Sequence, residues 1–119
     1  NTKPTANNTK LITNKKMGIL SKLLGVPSKK ALFEMMSNGA VLLDVRTKEE
    51  YNAGHIKKSI CIPVSQISEK YSKLNKEKPL IIVCESGARS AQAVRFVKKM
   101  GYKAYNGGSW SKFKYLDSE

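Results

Sequence analysis

The chain alternates short apolar runs with amphipathic segments, and the runs are the sharper signal. Leu80-Ile81-Ile82-Val83-Cys84 is apolar without a break, the pattern of a strand covered on both faces. Residues 40–45 read the same way. Ala91, Val94, Val97 and Met100 recur at nearly helical spacing, which predicts a helix from about Ala88 to Met100, ended by Gly101. Pro27-Ser28 reads as a helix start with Ser28 as N-cap, and Ala31, Leu32, Met35 and Met36 as the buried face. Asn38-Gly39 ends that helix. Thr47 is placed to cap a one-turn helix carrying Glu49, Glu50 and Tyr51, which Ala53-Gly54 breaks.

The remaining segments are weaker. Residues 59–62 predict a short strand with Cys61 in the core, and 64–71 a helix. Residues 73–79 form a polar loop and 103–105 a strand. Gly107-Gly108 then predicts a turn into a last helix with Trp110 and Phe113. Strands alternating with helices imply an α/β fold, a central and mostly parallel sheet flanked by helices. No internal repeat is visible.

Composition changes the picture in two places. A length of 119 residues suits one domain that buries more than ~60% of its unfolded surface. Residues 1–25 read as a polar, basic tail with a short helix after Met17, and 26–119 as the folded domain. The tail's trimmed start leaves a removed signal peptide open. The net charge is +13, but seven lysines precede residue 31 and no acid precedes Glu34, so the rest carries about +6. Such a surface attracts small anions. No aromatic interleaving points to RNA or DNA, and a solvated lysine-rich face is the simpler reading. No run approaches ~18 apolar residues, so no membrane span is expected.

There are two cysteines and a single histidine, His55. That inventory argues against a structural zinc site, and neither metal nor cofactor is expected. Cys84 sits where the apolar strand ends and a helix begins, across a short loop containing Gly87. A thiol there faces backbone N–H groups and the positive end of a helix, which favour the thiolate and would also cradle an anion above the sulfur. The competing reading is an inert, buried cysteine.

Three separated segments then carry a family resemblance. Residues 43–63 contain Asp44-Val45-Arg46, Glu50-Tyr51, Gly54-His55-Ile56 and Ile62-Pro63; the second segment is the loop from Cys84 to Arg89; the third is Gly107-Gly108 with Trp110. In this order and at these separations they resemble the single-domain rhodanese-like sulfurtransferases, over about residues 26–116. The chain departs from the pattern at Lys58-Ser59, where Gly-Ala is common, and at Cys61, where Asn is common. Glu85 stands where thiosulfate-using members often carry Arg, which bears on the donor and leaves the cysteine chemistry intact.

The resemblance implies a rhodanese-like fold and a sulfurtransferase. Cys84 would take sulfane sulfur from a donor such as thiosulfate as a persulfide and pass it to cyanide or a thiol. Backbone N–H groups of Glu85, Ser86, Gly87, Ala88 and Arg89 would line the anion cradle. Arg89 offers either a guanidinium fork to an oxyanion or an ion pair at the helix start. Ser86 and Ser90 supply hydroxyls, Ser90 alternatively as a helix cap. Asp44 and Arg46 are expected to support the loop, His55 to serve the fold, and Trp110 to be core or pocket wall. A thiol role for Cys61 in redox chemistry stays open. Two other readings use the same cysteine: a persulfide carrier feeding a protein partner, and a phosphatase or arsenate reductase. Related enzymes of the latter kind have five residues between Cys and Arg, whereas four stand here, which favours sulfur over a phosphate tetrahedron. A monomer in the reducing cytoplasm is the default expectation, with an exported form as the alternative.

Overall fold

The computed structural model describes residues 23–118. The expected tail over residues 1–16, and all but the last two residues of the segment from Met17 to Leu24, lie outside them. Four strands form one parallel sheet: β1 (Val41–Asp44), β2 (Ile60–Cys61), β3 (Leu80–Cys84) and β4 (Ala104–Ser109), in the order β2-β1-β3-β4. The helices are α1 (Lys29–Ser37), α2 (Lys48–Ala53), α3 (Ile67–Lys70) and α4 (Ala88–Lys99), and a 3-10 stretch runs from Trp110 to Ser118.

Local chemistry accounts for several boundaries. Ser28 caps α1 by accepting from the Ala31 N–H at 3.1 Å. Thr47 and Glu50 form a reciprocal capping box on α2, the Thr47 hydroxyl accepting from the Glu50 N–H and the Glu50 carboxylate from the Thr47 N–H. Lys98 and Lys99 in the last turn of α4 complement its negative end.

Strand parity divides the core. Leu43, Val45, Leu80, Ile82 and Cys84 pack with Ala93, Val97 and Tyr102 on the α4 side. Leu42, Ile81 and Val83 pack with Leu32, Ile56, Phe113 and Leu116 on the other. All five residues of β3 are buried, as an uninterrupted apolar run demands.

Some expectations are corrected. Gly107-Gly108 does not turn: β4 runs through both to Ser109. Register against β3 slips there, Ile82 facing Asn106 and Val83 facing Gly108, so Gly107 is the extra residue of a bulge. A Cβ on Gly107 would lie 2.7 Å from both Ile81 Cγ2 and Val83 Cγ1, so the strand approaches β3 closely only because glycine is there. The single helix expected over 64–71 is three short pieces, 3-10 turns at Val64–Gln66 and Tyr71–Lys73 around α3. The fully buried line of α4 is Ser90, Ala93 and Val97, with Ala91, Val94 and Met100 half-buried beside it. Leu32 alone of the expected α1 face is fully buried. Cys61 is half-buried rather than core, at the end of a two-residue edge strand.

Candidate active site

β3 delivers Cys84 to the carboxyl end of the sheet, where ligands of open parallel sheets bind. Its parity points the side chain toward α4, whose first turn follows after Glu85, Ser86 and Gly87. Gly87 takes φ +106° and is the N-cap of α4 without a side-chain cap. Its Cβ position is closed as well, 3.2 Å from Leu24 Cδ1 and 3.3 Å from Gly108 Cα, so glycine is required by both backbone angle and space.

That turn aims N–H groups at the sulfur. Cys84 Sγ accepts from the Gly87 N–H at 3.0 Å and the Ser90 N–H at 3.4 Å, and Ser90 Oγ lies 3.4 Å away. Burial opposes a charge on this sulfur. The hydroxyl of Ser90 and the N–H groups of Ser90, Gly87 and Ser86 outweigh it and hold the thiol below its ordinary value. Cys61 differs: burial pushes its thiol up, and its Sγ lies 3.8 Å from the Arg46 carbonyl. The residue Cys84 has no accessible surface, so the sulfur sits just under the loop.

Arg89 is the ion pair at the helix start. Its guanidinium donates to both Glu50 oxygens, at 2.6 and 3.0 Å, which ties the Cys84 loop to α2. Arg89 stays charged, its pKa raised chiefly by Glu50, while Arg89 holds Glu50 down at about 2. Sequence reasoning had Glu50 on the capped helix without this role. Two family-motif segments converge only in three dimensions.

Asp44 and Arg46 lie on the opposite face of the sheet from Cys84. They form a buried pair, Arg46 donating from Nε and Nη2 to the Asp44 carboxylate at 2.8 to 3.1 Å. Arg46 also donates to the Gly54 carbonyl at 2.7 Å and the Glu50 carbonyl at 3.3 Å, and lies 4.3 Å from the Trp110 ring centre. The pair thereby braces α2, the element that grips Arg89. Trp110 Nε1 donates to Glu85 at 3.3 Å, fastening the other end of the loop. Trp110 also walls a cleft of about 610 Å³ with Arg46, Glu50, His55, Lys114 and Asp117; Cys84 does not line it. His55 is exposed and stacked on Tyr51 at 3.8 Å, its Nδ1 donating to the Tyr51 carbonyl at 2.7 Å. Ser86 is an exposed loop residue and Ala88 the exposed first residue of α4. Ser90 does not cap α4; its hydroxyl bonds to Asn106 Oδ1 at 2.6 Å. Asn106 stands in the closing segment, residues 105–110, but was given no role by sequence reasoning; an Asn directly before two glycines was the available signal.

The family model of the rhodanese-like domain matches residues 28–115. The chain belongs to the rhodanese-like domain family. A Bacillus subtilis relative, named only provisionally as a sulfur carrier, is 40% identical over 62 residues, covering 52% of this chain and 34% of that one. A thiosulfate sulfurtransferase of Pseudomonas savastanoi is 31% identical, covering 57% of this chain and 64% of its own. Each of these relatives extends well beyond the match, so the chain spans less than two thirds of their length. The solved human single-domain sulfurtransferase superposes with a TM-score of 0.60 at 28% identity, covering 80% of this chain and 97% of that one. The rhodanese-like α/β architecture is thus shared over 80% of the chain.

Proposed function

We propose that this protein is a sulfurtransferase whose Cys84 carries sulfane sulfur as a persulfide. The observation that supports it most is the sulfur at the end of β3, receiving the N–H groups of Gly87 and Ser90 at the start of α4. Relatives bearing sulfurtransferase and sulfur-carrier names point the same way.

With thiosulfate as donor, the Cys84 thiolate attacks the outer sulfur. A new S–S bond forms, the old one breaks, and sulfite leaves with its electron pair. The cradle's N–H groups then hold the persulfide anion. An acceptor thiolate or cyanide attacks the terminal sulfur, and Cys84 leaves as thiolate, giving ping-pong kinetics. Glu85 at the mouth and the ion-paired Arg89 leave the loop without an unpaired guanidinium. That arrangement favours donors recognised by more than charge, and it keeps transfer to a protein acceptor as the second reading.

The test is intact mass after incubation of reduced protein with thiosulfate, beside Cys84→Ser. A gain of one sulfur by the wild type alone supports the proposal. No gain with thiosulfate, mercaptopyruvate or a protein persulfide, with the thiol shown free, overturns it.

A further inference from the structure

Asn106 is a buried polar residue whose neighbour on the same face of β4, Ala104, belongs to the apolar core. Its carboxamide uses every hydrogen-bonding position. Nδ2 donates to the Gly87 carbonyl at 2.9 Å and the Leu24 carbonyl at 2.7 Å. Oδ1 accepts from the Gly108 N–H at 2.9 Å and from Ser90 Oγ at 2.6 Å. The backbone partners dictate the amide's orientation. Turned over, it would set its NH₂ against an N–H and its oxygen against two carbonyls.

A consequence follows for sulfur. Asn106 Oδ1 carries no hydrogen, so Ser90 is the donor of that bond. A serine has one proton. With it committed to Asn106, Ser90 Oγ turns a lone pair toward Cys84 Sγ at 3.4 Å. A lone pair suits a thiol S–H and not a thiolate.

We propose that Asn106 is a positioning residue for Cys84, holding the Ser90 proton while the sulfur is a thiol and yielding it when the sulfur becomes charged. The thiol proton passes to water, the Ser90 hydroxyl rotates, its bond to Oδ1 breaks and one to Sγ forms. No other covalent bond changes. Oδ1 keeps the Gly108 N–H, so the swap leaves no buried atom orphaned. Asn106 thus competes with the thiolate for one proton and keeps the resting sulfur less acidic than a Ser90 hydroxyl free of Asn106 would make it. The charged groups nearby are Glu85, Arg89 with its partner Glu50, Arg95 and Lys98 of α4, which line one cleft with Asn106, Lys112 against Gly108, and the Asp44–Arg46 pair on the other face of the sheet. Among the described residues none of them hydrogen-bonds to the side chain of Ser90 or Asn106, so the swap involves three side chains: Cys84, Ser90 and Asn106.

This inference rests on Cys84 being the reacting sulfur. Its test follows the Asn106 side-chain carbonyl by carbon NMR against pH, in wild type and Ser90→Ala, with the Cys84 midpoint read from alkylation rates. The Asn106 signal is expected to titrate with the Cys84 midpoint, and most of that change to vanish in Ser90→Ala. Asn106→Ala is expected to lower the midpoint by about half to one pH unit when Ser90 is present, and by far less in the Ser90→Ala background. An Asn106 titration undiminished in Ser90→Ala, or an equal midpoint shift in both backgrounds, overturns it. Should Asn106→Ala fail to fold, the wild-type and Ser90→Ala spectra decide alone. Sulfur loading is scored separately: a chain with the coupling but no loading overturns the proposed function only, and one that loads without the coupling overturns this inference only.

Discussion

Glu50 grips Arg89 through both carboxylate oxygens, joining α2 to the first turn of the helix behind Cys84. The two residues stand 39 positions apart in the chain. Arg46 holds the carbonyl of the same Glu50, so a pair on one face of the sheet braces a loop whose sulfur faces the other.

Glu50→Gln is expected to loosen this brace and to lower stability by less than about 1 kcal/mol, since the side chains are 32% and 36% exposed and solvent screens them. The pH dependence has a definite sign. Glu50 is depressed from 4.5 to about 2, so its contribution is present above about 4.5 and is lost as pH falls toward 2. Thermal unfolding between pH 2 and 6 should show the wild type's advantage over Glu50→Gln shrinking as acid is added. A gap that stays constant would refute the linkage.

The two thiols should separate by reactivity. Cys84 is held below the ordinary thiol value and Cys61 is pushed above it. Alkylation followed by peptide mass analysis across a pH series is therefore expected to give a lower midpoint for Cys84 than for Cys61, whatever their absolute rates. A midpoint for Cys61 at or below that of Cys84 would contradict the assigned order.

Asp44→Asn leaves Arg46 charged, with Asp44 and Arg46 only 0% and 3% exposed in the wild type. Breaking a buried pair on one side costs about 3 kcal/mol or more. Urea denaturation should show a loss of that size, with sulfur loading per folded molecule reduced as the α2 brace relaxes.

Gly107→Ala tests the bulge. The new methyl would meet Ile81 and Val83 side chains at 2.7 Å. Overpacking of that kind costs about 1–3 kcal/mol. Gly39→Ala meets nothing within 4 Å and bears only the strain of φ +96°, so it should cost less. Equal losses in denaturant would argue against the tight β3–β4 contact.

The sequence by itself determined the alternation of strands and helices, the Ser28 and Thr47 caps, and Cys84 at a strand end. These are local facts: an apolar run, a hydroxyl before a helix and a glycine turn act over a few residues. Gly107-Gly108 was misread as a turn because a bulge and a turn use glycine for the same local freedom; only packing against Ile81 and Val83 selects the strand. The α4 face was rotated for a similar reason. Ser90 is polar, so periodicity excluded it, yet its bonds to Asn106 and Cys84 make burial favourable. The tertiary structure decided which charges meet. Arg89 had a guanidinium for an anion or for a carboxylate, and the fold places Glu50 against it. Asp44 and Cys84 end neighbouring strands, yet the parity of side chains puts them on opposite faces. Hydrogen bonds and ion pairs between distant segments depend on register and handedness, which no short window of sequence contains.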